Sequence, residues 1–166
     1  MPLDPAFVAD CPYGPGALLF DEILEVDQAR SLIRLRLPTD ENLPITRDQR
    51  ADPRRHPRHV AGGLMVHLTG VAGFAHAYYL LGLRHHEGWI GYGTHIHSAR
   101  FRHLAHVEAP LEITCQATQV RRFGGNYFVR YTLRFQQGDK VVYEGDQSAI
   151  FHRPTLDGAA VGEGGE

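Results

Sequence analysis

Cysteine is scarce in this chain. Its 166 residues hold only Cys11 and Cys115, which excludes a disulfide scaffold and a four-cysteine zinc site. An excess of one charge is also missing. Seventeen basic residues meet nineteen acidic ones, for a formal net charge of −2, so nothing global draws the chain to nucleic acid or to an anionic membrane. The opening residues, MPLDPAFVADCPYGPG, have neither a basic start nor a long apolar run, and match neither a signal peptide nor a membrane span. A reducing, cytoplasmic setting is the expectation. There is no internal repeat and no linker between two domains. What is present, 43% hydrophobic and 22% charged residues, is the composition of one globular domain. Histidine is abundant at 11 residues, which offers several groups able to titrate near neutral pH without assigning any of them a role.

Patterning along the chain predicts the elements. Residues 1–16, with four prolines and two glycines, read as an irregular lead-in. Residues 17–26 suit a strand or a short helix, and Ile33, Leu35 and Leu37 alternate with Arg34 and Arg36 in the period of a half-buried strand. Residues 38–60 are polar and rich in proline, arginine and aspartate, a length at which a loop is either a functional lid or binding loop or a mobile excursion. Gly62 to Leu81 is the one long apolar segment. It is too long for a strand, and Leu64, Leu68, Val71, Ala75 and Tyr78 follow helical spacing. The opposite side, with Val66, Thr69, Gly70, Gly73 and Ala77, is small or apolar too, so the helix is expected to be buried nearly all round. His67 and His76 interrupt it and make it a poor membrane span.

Strand patterns follow at residues 94–102, 111–117, 127–135 and 141–151, with turn residues at 123–126 and 137–139. Residues 154–166 have little to bury and are expected to be disordered. A strand pair, a loop, one buried helix and then antiparallel strands define an α+β domain over residues 17–153, a single antiparallel sheet wrapped around one long central helix. That arrangement is the hotdog fold.

Four stretches, LLFDEILEVD, AGGLMVHLTGVAG, SARFRHLAHVEAPLEI and GDKVVYEGDQSAIFHR, resemble in content and order the β-hydroxyacyl-ACP dehydratases, over roughly residues 17–153. Gly62-Gly63 at the helix start is also similar to the "GG" of acyl-thioester hydrolases. The resemblance implies an enzyme acting on acyl-CoA or acyl-ACP, without a cofactor, and a homodimer or dimer of dimers. The departures bear on the reaction. His67 stands where the dehydratases carry a helix carboxylate, the family histidine position falls near Pro53, and the nearest histidines are His56 and His59.

A thioester carbonyl needs its oxygen polarised, and free N–H groups at a helix N-terminus do this. Gly62 and Gly63 are the candidates for that role, because glycine lets a substrate approach the backbone. His67 and His59 are the candidate proton carriers, with His56 behind them. A neutral imidazole activates water, while a protonated one donates to a leaving hydroxyl. Burial lowers a histidine pKa and so favours hydrolysis. The readings are therefore a thioesterase first, a 3-hydroxyacyl-thioester dehydratase with a variant dyad second, and a non-catalytic acyl-thioester binder third. No metal is expected, since no histidine pair has a matching second pair at ligand spacing. Arg100, Arg102, Arg121, Arg122 and Arg153 are candidates for contact with carrier phosphates.

Overall fold

The computed structural model describes residues 1–154. Six strands form one antiparallel sheet: β1 (Glu22–Asp27), β2 (Leu32–Leu37), β3 (Ile90–Phe101), β4 (Leu111–Phe123), β5 (Asn126–Gln137) and β6 (Lys140–His152), in the order β1-β2-β4-β5-β6-β3. The sequence alternation sets its inner face. Register places Leu35, Ile113, Phe135, Tyr143 and Phe101 in one row across five strands, and the first four are fully buried. The β4–β5 turn contains Gly124 and Gly125 at positive φ, as the tight hairpin requires.

The long helix lies against this inner face, and spans Gly62–Leu81 as predicted from its spacing. Leu64, Leu68, Val71, Ala75 and Tyr78 are all buried, and so are Thr69, Gly73 and Ala77 on the other side. It is long and apolar enough to cross a membrane, but here it is the core of the domain. Gly82 ends it in the left-handed conformation at φ 67°, with its N–H on Ala77 O.

The lead-in is not irregular, which corrects the sequence reading. It holds α1 (Pro5–Asp10) and α2 (Pro15–Leu18), which makes the central helix α3. Proline, taken as a breaker, here occupies the first turn of both helices, where its missing N–H costs nothing. Asp4 caps α1 by accepting Ala6 N–H at 2.8 Å. Phe7 then plugs the core beside Tyr78 and Tyr79, with ring centroids at 5.1 and 5.2 Å, and the Met1 ammonium donates to Ile23 O. Residues 1–16 therefore pack against the domain expected over residues 17–153. Of the expected disordered tail, 154–166, all but Pro154 lies outside the described residues.

Candidate active site

Two of the cavities that border α3 divide the residues singled out from the sequence. The first lies at the helix N-terminus. Ala61 occupies the N-cap and offers no side-chain acceptor; its own N–H goes to the buried Thr46 hydroxyl at 3.1 Å. The first-turn N–H groups that follow have no preceding helical carbonyl to bond. A Cβ at Gly63 would meet only Ile45 Cδ1, at 3.8 Å, whereas one at Gly62 would lie 3.0 Å from the Phe101 ring. Approach is thus open at Gly63 and lined by Phe101 at Gly62. A cavity of about 230 Å³ opens there, bounded by His59, Gly62, Met65, Phe101, His103 and Leu104. Ile45, Phe101 and Leu104 are at least half exposed beside it and give it an apolar surface. Ile45 sits at φ 66°, a strained conformation for a β-branched residue.

His59 is held firmly. The Gln49 side chain accepts His59 N–H at 3.2 Å and donates to His59 O at 3.0 Å. Its ring Nδ1–H donates to Pro57 O at 2.8 Å. In the neutral ring this leaves Nε2 as the proton acceptor. His56 packs edge-on against it at 5.0 Å. His59 and Gly62 therefore share a cavity, with Gly63 next to them.

His67 lies elsewhere. Five residues along the helix put it about 7.5 Å further down the axis, in a groove of about 330 Å³ between α3 and β3, shared with Tyr13, Thr69, Gly70, Ile96 and Gln147. Its Nε2–H donates to Ala17 O at 2.9 Å, and its ring stands edge-on to Tyr13 at 4.9 Å. Thr69 Oγ1 has both Val66 O, at 2.6 Å, and Gln147 Oε1, at 2.8 Å, within reach. Neither cavity is lined by an aspartate or glutamate among the described residues. Within one chain, then, Gly62 shares a cavity with His59 and not with His67.

The other histidine of the helix, His76, is fully buried. Its Nε2–H donates to Ser31 O at 3.0 Å, and Nδ1 accepts the Tyr131 hydroxyl at 3.3 Å. Burial pushes its pKa down to about 4, so it is a neutral, satisfied core residue. His95 and His97 stack at 5.8 Å on β3, yet no group of three or more potential metal ligands converges among the described residues. Of the arginines singled out from the sequence, Arg102 pairs with Glu144, Arg153 reaches Glu87 and covers Trp89, and Arg122 lies over Tyr127.

Gln49, Thr46 and Ile45 lie in the 38–60 loop and Phe101 in the stretch SARFRHLAHVEAPLEI, but nothing in the sequence singles out any of the four. Thr46 lies 15 residues from Ala61, and Phe101 reaches Gly62 from the far end of an edge strand. Nothing local marks such meetings.

No family model matches the chain, and no curated protein matches it. Solved structures do. A thioesterase from Haemophilus influenzae aligns with a TM-score of 0.61 at 14% identity, over 92% of this chain and 91% of that one. A variant of a thioesterase from Pseudomonas aeruginosa aligns at 0.60 and 14%, over 89% and 92%. A variant of the fluoroacetyl-CoA-specific thioesterase FlK aligns at 0.54 and 16%, over 74% and 85%. The chain has the hotdog fold of these proteins.

Proposed function

We propose that the chain is an acyl-thioester hydrolase acting on acyl-CoA or acyl-ACP. The observation that carries the reading is the uncapped start of α3 at Gly62 and Gly63, sharing its cavity with a tautomer-fixed His59. Fold likeness to thioesterases, one of them named for a CoA thioester, supports it.

In this reading the thioester carbonyl oxygen accepts first-turn N–H groups at Gly62 and Gly63, where the helix dipole favours the developing negative charge. His59 Nε2 takes a proton from water as the water oxygen bonds to the carbonyl carbon. The C–S bond then breaks, and the proton passes to the leaving thiolate, giving a carboxylic acid and a free thiol. His67 lines the adjoining groove, and with Tyr13 borders the acyl portion. β3, which lines the groove, is an edge strand of the sheet. A second copy paired along β3 would close it, so a homodimer, alone or as a dimer of dimers, belongs to the proposal. A cytoplasmic setting belongs to it as well.

A panel of acyl-CoA and acyl-ACP substrates tests the reading. Thiol release is the expected result. Enoyl absorbance in its place would assign dehydration, and tight binding without turnover would assign a non-catalytic binder.

A further inference from the structure

The outer face of the sheet carries a cavity that the thioester site does not use. Register puts Arg34, Thr114, Arg134, Glu144 and Arg100 in one row across β2, β4, β5, β6 and β3. Each is the chain neighbour of a residue in the inner row of Leu35, Ile113, Phe135, Tyr143 and Phe101, so strand alternation turns it to the opposite face. A cavity of about 620 Å³ lies over this row, larger than the two described above. Glu25 and Arg30 also line it, with the hydroxyls of Ser98 and Thr132. The sheet stands between this cavity and α3.

Its carboxylates are already matched. Glu25 takes Arg30 and Arg34, and Arg34 also reaches Glu112 at 2.5 Å. Glu144 Oε2 accepts from Nε and lies against Nη2 of Arg102, both at 2.7 Å. Arg100 and Arg134 flank Glu144 in register, yet among the described residues neither makes an ion pair. Adjacent strands stand about 4.8 Å apart, so the Arg134 backbone is about 10 Å from Arg100 on one side and from Arg34 on the other. Arg121 and Arg122 also lack an ion pair, but they line none of the described cavities. What sets Arg100 and Arg134 apart is that both face one volume.

We propose that this cavity binds a small polyanion, a molecule with two or more phosphate or carboxylate groups, held by Arg100 and Arg134. The guanidinium fork fits either group with paired hydrogen bonds. A monoanion engages one fork, whereas two anionic groups within about 10 Å of each other engage both. The hydroxyls of Ser98, Thr114 and Thr132 add neutral donors. Glu25 and Glu144 in the lining repel a broad anionic surface, such as a membrane or a nucleic acid, and leave room for a compact anion between them. The site is independent of the thioesterase reading and stands if that reading fails.

Calorimetry at one ionic strength with two probes, tripolyphosphate and citrate, tests the site and tells phosphate from carboxylate. The unsubstituted chain should bind at least one of them, and Arg100→Gln/Arg134→Gln should weaken that binding roughly 10–100-fold. Arg121→Gln/Arg122→Gln removes the same charge outside the cavity and should change it less than about twofold. No binding by the unsubstituted chain overturns the proposal. So does binding that the first variant keeps, or that the control variant loses equally, which would mark net charge alone. A larger assembly in light scattering that the first variant breaks would make the face a contact between copies, and would also overturn it. Labelling with phenylglyoxal needs no variant. The bound anion should slow modification of Arg100 and Arg134 and leave Arg121 and Arg122 unchanged; equal slowing at all four, or none, overturns the site.

Discussion

His59 and His67 show one residue type in two different surroundings. Both donate one ring N–H to a backbone carbonyl, which fixes the neutral tautomer. Only His59 shares a cavity with Gly62. His59→Ala is therefore expected to lower turnover about 10²–10⁴-fold, the usual range for a general base, while His67→Ala lowers it less than about tenfold. Steady-state kinetics beside thermal melts checks the pair, and the opposite ranking would move the base into the α3–β3 groove. His76 gives a prediction of stability. Its folded pKa is about 4, below the 6.5 of an unperturbed histidine. Above pH 6.5 neither state binds the proton; as pH falls toward 4 the unfolded chain binds it and the native one does not. Stability should thus drop across that window by about 3 kcal/mol. Denaturant midpoints from pH 7 to pH 4 should show this slope, and His76→Leu should lose His76's share of it.

At the scale of elements, the N-terminal turn of α3 carries the proposed carbonyl site. Gly63→Ala places a methyl group 3.8 Å from its nearest neighbour, in ordinary contact, and alanine costs a helix less than glycine. The melting temperature is expected to hold or rise by a few degrees. If the carbonyl docks beside this backbone, kcat/KM should still fall, and an unchanged rate would remove Gly63 from the site. At the other end of the domain, Asp10 closes α1 onto the turn after α3. It accepts the N–H groups of His85 at 2.8 Å and His86 at 2.7 Å. Burial alone would raise its pKa, but these hydrogen bonds and the His86 ring hold the carboxyl below its ordinary value. Asp10→Ala leaves two backbone donors without their acceptor and should cost about 1–3 kcal/mol, read from the urea midpoint.

At the scale of the whole molecule, β3 is the exposed feature. It is a sheet edge of twelve residues, and Tyr92, Ile96 and Phe101 are each more than half exposed along it. An edge of this length that lacks a cover is a template for pairing with another strand. A dimer through β3 is the expected state. Light scattering at micromolar concentration should give twice the chain mass, and Tyr92→Glu/Ile96→Glu should return the monomer. A monomer for the unsubstituted chain would remove the second wall from the proposed groove.

The fold was legible because it rests on periodicities that neighbours along the chain carry by themselves. Leu111 to Ala117 and Tyr127 to Phe135 alternate, and a sheet with one buried face turns such alternation directly into register. Gly62 to Leu81 is apolar nearly all round, and the two histidines that interrupt it favour a buried core helix over a membrane span. The lead-in was misread because proline disrupts helix interiors but suits their first turn. Gly62, Gly63, His59 and His67 could be named from local pattern and resemblance. Which of them share a space was decided by tertiary structure, because that depends on contacts across long stretches of chain. Phe101 meets Gly62, Thr46 takes the Ala61 N–H, and Gln49 clamps His59. The sequence determined that one buried helix begins at Gly62; only the folded loop and the edge strand decided that its open end faces His59 and that His67 belongs to a different cavity.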